Sequence, residues 1–294
     1  MPLFSKRSDG VLLTKLPGFR KMFPFLMPTR TESMIVHQQL IPMKKALAIL
    51  NKLNEGRGEK DKKFTLFHVV LAASLRLIAR RPENNRFVVG RRIYQRKGIV
   101  FSFVTKKDLT EHAAETNVKL EFQPTDTITD VANRIWDEVS KVKKSSTSKD
   151  EDITETLTRL PRWLTRFLMW GWKVFDYFHI LPSGAIKGDA LYCTAYFANL
   201  GSIGIDAIQH HLFEWGTCSF FVVTGKLKKA VVVGEDGQPA VEDVITATFS
   251  LDERITDGVN LAKTITQLTG YIADPEELLK APAAGELPDP LKYA

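Results

Sequence analysis

Leu251-Asp252-Glu253-Arg254-Ile255-Thr256-Asp257-Gly258 is the stretch of this chain on which the fold turns. Three carboxylates and one guanidinium stand within six residues, between two regular elements. Ahead of it, Val241 to Phe249 reads as a strand, fed by a hairpin turn in Val231-Val232-Val233-Gly234-Glu235-Asp236-Gly237-Gln238-Pro239. Behind it, Gly258 leads into a helix reaching Leu268.

Working outward, Ile35 to Ile41 suits a strand, and Met43 to Asn54 and Thr65 to Arg80 carry apolar residues at helical spacing. The second of these helices stops at Pro82, which disfavours helix in the residue before it. Phe87 to Arg91 and Ile99 to Val104 read as strands flanking a turn. Val118 to Phe122 alternates like a half-buried strand, and Thr129 to Lys143 is an amphipathic helix that dissolves into a polar linker, Lys144 to Asp152. Tyr192 to Ala198 and Ser219 to Thr224 are apolar enough for buried strands. Residues 1–19 are expected to form an extended arm, because Gly10, Pro17, Gly18 and Pro24 interrupt any helix there, and residues 281–294 a Pro- and Ala-rich tail.

The 294 residues are 44% hydrophobic and 26% charged, ordinary for a soluble globular protein large enough to bury a sizeable core. Two cysteines, Cys193 and Cys218, are too few for a disulfide framework, and the first residues lack the apolar run of a secretory signal, so a cytoplasmic location is expected. The net charge of +7 points weakly to anionic partners. Basic residues crowd between Arg76 and Lys97, read as a solvated helix end and hairpin or, more sharply, as an anion-attracting surface. Nucleic acid ranks last among partners because no recognition motif accompanies the charge. From Leu160 to Leu181 aromatic residues alternate with Arg162, Arg166, Lys173 and Asp176. The segment is too charged to span a bilayer; a helix packing on its own domain or on a neighbouring subunit is the plainer reading, and contact with a membrane surface or a protein partner through Trp163–Phe178 the sharper one.

In this order the pieces resemble the catalytic domain of dihydrolipoyl acyltransferases, the core components of 2-oxoacid dehydrogenase complexes, whose fold is shared with chloramphenicol acetyltransferase. The resemblance runs from roughly Phe19 to Leu279. Arg30 stands seven residues before His37, as in the family, although Val36 replaces the family's proline. The turn Arg81-Pro82-Glu83-Asn84-Asn85 is similar to its Pro-Glu-x-Asn, Phe197-Ala198-Asn199-Leu200-Gly201 to its strand ending Ser-Asn-Leu-Gly, and Ser250 to Gly258 to its Ser-x-Asp-His-Arg-x-x-Asp-Gly. The resemblance implies a two-layer α/β fold, a mixed sheet with helices packed on it, over residues 20–280. An added aromatic helical segment lies at about 145–189. It also implies coenzyme A or acyl-coenzyme A as substrate, a homotrimer that can build larger shells, and no metal. No lipoyl module precedes the domain, so the chain is not expected to swing its own acyl-lipoamide arm.

Two further departures fall on the residues that carry the family's chemistry. Its catalytic base, a histidine that deprotonates the thiol, is Glu253 here, and its oxyanion-binding serine is Ala198. A glutamate starts near pKa 4.3, so raising it to about 7 takes about 3.7 kcal/mol of differential stabilisation, and losing one oxyanion donor costs about 3 kcal/mol more. The resemblance therefore implies weak, altered or lost acyl transfer, or a structural pseudoenzyme. Candidate catalytic residues are Glu253 and Asp257, with Asn199, Ser202 or a backbone N–H as a replacement oxyanion donor. The pair His210-His211 is read as a surface feature, a replacement base or metal ligands with Glu214. Asp252, Arg254 and Arg30 are expected to fix the loop, Arg30 by pairing with Asp257.

Overall fold

A computed structural model describes residues 6–59, 61–106, 115–144, 155–234 and 237–294. Its main sheet has seven strands. Six run in the order β2 (Met34–Pro42), β10 (Pro239–Asp252), β8 (Phe220–Thr224), β7 (Ala195–Asn199), β5 (Ile99–Lys106), β6 (Glu115–Phe122), and β9 (Lys228–Val233) pairs with the outer half of β10. The β5–β7 and β7–β8 pairs are parallel and the others antiparallel. The strands in parallel pairs read as near-continuous apolar runs because both of their faces are covered. One face receives α2 (Lys44–Asn54), α3 (Leu66–Arg80), α4 (Ile128–Lys144) and α7 (Gly258–Ala273), with Val70, Leu75, Phe101, Phe197 and Phe249 in the shared core. A smaller cluster, including Cys193, Tyr196, Leu212 and Phe221, forms a second core. The architecture is the two-layer α/β arrangement the resemblance implied.

Strand β10 shows how burial follows pairing. Its outer half, Pro239–Val244, pairs only with β9 and β2's last residue, and leaves Val241 exposed. From Val244 to Asp252 it is buried, and between Ala247 and Leu251 it is paired with β2 on one side and β8 on the other. The strand thus delivers the charged loop from the middle of the sheet, not from an edge.

Four sequence expectations need correction. Phe87–Arg91 and Ile99–Val104 do not flank a turn together. β3 (Arg86–Val89) pairs with β4 (Arg92–Arg96), and with β1 (Gly10–Leu12) they form a separate three-stranded sheet, while β5 lies in the main one. Gly90 and Arg91, at φ 58° and 57°, make the two-residue turn, the left-handed pair whose twist suits a tight hairpin. A Cβ at Gly90 would also lie 2.5 Å from the Tyr177 carbonyl oxygen, so glycine is required twice over. The N-terminal arm, secondly, supplies β1 and then α1 (Gly18–Leu26), with Pro24 inside it. Pro24 falls in the last turn of this short helix, where it removes a single donor.

Thirdly, the basic crowd is spent largely inside the fold. Buried Arg76 donates to the Glu277 and Lys280 carbonyls, Arg80 bonds Tyr271, Glu277 and Glu286, and buried Arg96 bonds Thr217 and pairs with Asp9. Finally, the tail is tied back: the Lys15 amide donates to the Tyr293 carbonyl, and Arg86 lies over the Tyr293 ring. The polar linker Lys144–Asp152 falls almost wholly outside the described residues.

The aromatic segment forms α5 (Arg162–Tyr177), followed by α6 (Ser183–Gly188). Trp172 stacks on Trp215 and donates to the Tyr192 hydroxyl, Asp176 pairs with Arg7 at 2.6 Å, and His179 lies 3.1 Å from the Tyr94 hydroxyl. No residue of α5 is fully buried. Among the described residues, no helix is long and apolar enough to cross a membrane.

Candidate functional site

The charged loop is built around a buried ion pair. Asp252, fully buried at the end of β10, accepts from the Arg254 amide and from its guanidinium at 2.8 and 2.7 Å, a bidentate pair, and from the Ser33 hydroxyl at 3.0 Å. Arg254 also donates to the Met27 carbonyl, and the Glu253 amide donates to the Ser33 carbonyl at 2.8 Å. The turn 253–255 is thereby stitched to the segment between α1 and β2. Both charges are out of water, and every oxygen of Asp252 has a donor, the condition under which such a pair is tolerated.

Asp257 and Arg30 do not pair. Asp257 caps α7, accepting from the Asn260 amide and side chain, and its carboxylate lies 3.9 Å from Arg20 instead. The Asn260 amide bond, outweighing the effect of partial burial, holds its pKa below the ordinary carboxylate value. Arg30 is buried and donates to the carbonyls of Phe213, Glu214 and Gly216, while the Glu214 carboxylate accepts from the amides of Arg30 and Thr31 and from the Thr31 hydroxyl. Arg30 thus fastens the 213–216 loop rather than the α7 terminus. Burial alone would raise the pKa of Glu214, but the Thr31 and Arg30 bonds bring it below normal.

That use of Glu214 turns it toward Thr31 and away from a joint site with the histidines. His210 and His211 stack on each other, and His210 lies flat on Phe221 with ring centroids 4.0 Å apart. Each Nδ1 meets the carbonyl of the following residue, which assigns the proton to Nδ1 and leaves Nε2 as the basic nitrogen. Partial burial lowers the His210 pKa below the ordinary imidazole value. Ser250 donates to the His210 carbonyl, placing the pair beside the β8–β10 ladder, where Ser250 faces Phe221. Among the described residues no hydrogen bond joins either histidine to Glu253, and no three His, Cys, Asp or Glu converge for a metal. Asn199 ends β7 opposite Thr224, its carbonyl accepting from the Ser202 hydroxyl, and half-buried Ala198 precedes it.

A cavity of about 600 Å³ opens beside the loop, walled by Arg30, Gly90, Arg91, Trp172, Trp215 and Arg254 among others; Glu253, Asp257, Asn199 and the two histidines do not line it. Ser33, Arg20 and the 213–216 carbonyls were not legible as loop partners, since 183 to 233 residues separate the bonded groups of Arg30 and Arg20 from theirs.

Residues 193–280 match the model of the 2-oxoacid dehydrogenases acyltransferase (catalytic domain) family. A probable dihydrolipoamide acetyltransferase from Listeria monocytogenes 4b F2365 superposes with a TM-score of 0.59 at 14% identity, over 89% of this chain and 94% of that one. The cubic core of a pyruvate dehydrogenase multienzyme complex gives 0.60 at 12% identity, over 89% of each chain. A chloramphenicol acetyltransferase gives 0.54 at 10%, over 92% of this chain and all of that one. No curated protein sequence matches the chain. With its signature loop inside the matched segment, the chain carries the sequence pattern of the 2-oxoacid dehydrogenase acyltransferase catalytic domain over residues 193–280 and, as a whole, the fold of that family and of chloramphenicol acetyltransferase.

Proposed function

We propose that this chain is an acyltransferase-fold protein that binds coenzyme A or an acyl thioester in a pocket completed by the neighbouring copy of a homotrimer, with acyl transfer weak or lost. The reading is carried by the loop itself: the buried Asp252–Arg254 pair keeps its shape while Glu253 occupies the place of the base. A rigid loop without its former chemistry is what retained binding requires, because positioning and proton transfer are separate contributions. The similarity to a cubic core favours trimers as the unit of assembly. His210, with Nδ1 on the His211 carbonyl and Nε2 as its basic nitrogen, is the replacement base proposed for a neighbouring copy's loop.

Titration calorimetry with coenzyme A and acetyl-coenzyme A tests the binding claim. Heats that saturate by millimolar ligand are expected, and their absence sinks it. Glu253→His is expected to raise thiol-dependent acyl transfer on the order of 10²-fold, the usual contribution of one positioned base. An unchanged rate alongside retained binding points to the second reading, a structural pseudoenzyme whose trimers assemble further. The joint presence of Glu253 and Ala198 in place of the family's histidine and serine favours that reading, and mass photometry checks it: trimers and nothing larger argue against a shell.

A further inference from the structure

The inserted helix α5 is fixed along one side and unclothed along the other. At 100° per residue, Trp172 and Asp176, which anchor it, lie opposite Trp163. Trp163, Phe167, Trp170 and Tyr177 fall within an arc of roughly 100° on the free side, and the three largest of these exposures are 70%, 59% and 62% for Trp163, Phe167 and Trp170. Arg162, Arg166 and Lys173 all lie along one flank of that stripe, and none pairs with a described carboxylate. The single acid of the helix, Asp176, is taken by Arg7.

The second apolar patch is α1. Phe19, Met22, Phe25 and Leu26 are at least half exposed. The β3–β4 turn links the two helices: Arg91 donates to the Pro24 carbonyl and lies over Phe25, while Gly90 packs against the Tyr177 carbonyl. A monomer does not ordinarily leave so many large apolar side chains together without a partner.

We propose that α5, with α1 beside it, is a docking surface for an anionic lipid bilayer, on which the helix lies in the interfacial plane. Charge selects this occupant. An exposed arc of Trp, Phe and Tyr, bordered by three cations that pair with no described carboxylate, matches a surface that is apolar below and negative above. Tryptophan and tyrosine settle at that boundary because their rings are amphipathic. A protein partner of ordinary mixed charge gives no reason for a flank of one sign. Trp163, Phe167 and Trp170 do not line the cavity beside the 252–257 loop, so replacing these three side chains tests the surface separately from acyl-thioester binding.

Co-sedimentation of the full chain with vesicles decides the matter. The protein is expected to pellet with phosphatidylcholine–phosphatidylglycerol vesicles and to remain in solution with phosphatidylcholine alone, and added salt should weaken the binding. Arg162→Gln/Arg166→Gln/Lys173→Gln should bind on the order of 10²-fold more weakly, from three lost interfacial cations. Trp163→Gln/Phe167→Gln/Trp170→Gln should abolish pelleting while circular dichroism and melting stay at wild-type values, since these side chains contribute nothing to the core. Wild-type protein left in solution with both vesicle types overturns the proposal, as does a triple aromatic variant that pellets like wild type. Self-association in the absence of lipid, lost in the same variant, assigns the stripe to contacts between copies and also overturns it.

Discussion

Asp252→Ala is expected to destabilise the fold by about 3–5 kcal/mol, the usual cost of stranding one member of a buried ion pair. Arg254 is 3% exposed and its guanidinium would keep only the Met27 carbonyl. Arg30, also buried, loses too: desolvation lowers its pKa, and the Asp252 charge is the foremost influence opposing that, while its own hydrogen bonds run to backbone carbonyls. One substitution therefore leaves two guanidinium groups in low dielectric without the carboxylate charge that most offsets their burial. Urea melts of the two proteins measure the difference. Asp252→Ala/Arg254→Met should recover part of the loss, because it removes the stranded charge with its partner. A single variant within about 1 kcal/mol of wild type would show that the pair contributes little, as exposed pairs do.

The second large effect depends on pH and comes from the opposite end of the core. His68, 5% exposed, is the third residue of α3 and completes a capping box: its Nδ1 accepts from the Thr65 amide at 3.0 Å, and its ring sits edge-on to Phe64 and Trp136. Burial pushes its pKa down from 6.5 to about 4. Between those values the unfolded chain binds the proton and the folded chain does not, so stability rises with pH across the window and falls on acidification. At about 1.4 kcal/mol per pH unit, the loss between pH 6.5 and 4 comes to about 3 kcal/mol. His68→Gln retains an oxygen for the Thr65 amide and does not titrate. Its stability, followed by urea melts at several pH values, should fall less steeply than wild type over this window, and parallel curves would refute the assignment to His68.

The parts of the fold legible in the sequence are those where local pattern and tertiary burial agree. The apolar periodicity of α3, the continuous runs of β7 and β8, and the strand–loop–helix around Asp252 each announce themselves. β4 did not, because Arg92-Ile93-Tyr94-Gln95-Arg96 looks solvated until Asp9 and Thr217, 87 residues before and 121 after Arg96, are there to receive it. α1 was hidden by prolines that local rules treat as breakers. At the site, residue types pointed correctly to a charged loop, yet not to its wiring. Arg30 and Arg20 both lie N-terminal to β2, and nothing local distinguishes which reaches Asp257 and which the 213–216 carbonyls. Glu214 likewise suggested a ligand by composition, whereas its bonds to Arg30 and Thr31 give it a structural post.

The tie between Arg7 and Asp176 also orders events during synthesis. Arg7 leaves the ribosome 169 residues ahead of its partner. Closing so long a loop carries an entropic cost that only the assembled sheet between them can repay. Until then Arg7 has Asp9 alone, two residues away. Phe220, Phe249 and Leu268 of the main core lie C-terminal to the aromatic helix, so a nascent chain carries Trp163, Phe167 and Trp170 before that core can be completed. For such a chain the hazard on the way to the native state lies in this adhesive helix, made before the sheet that must fix it is complete.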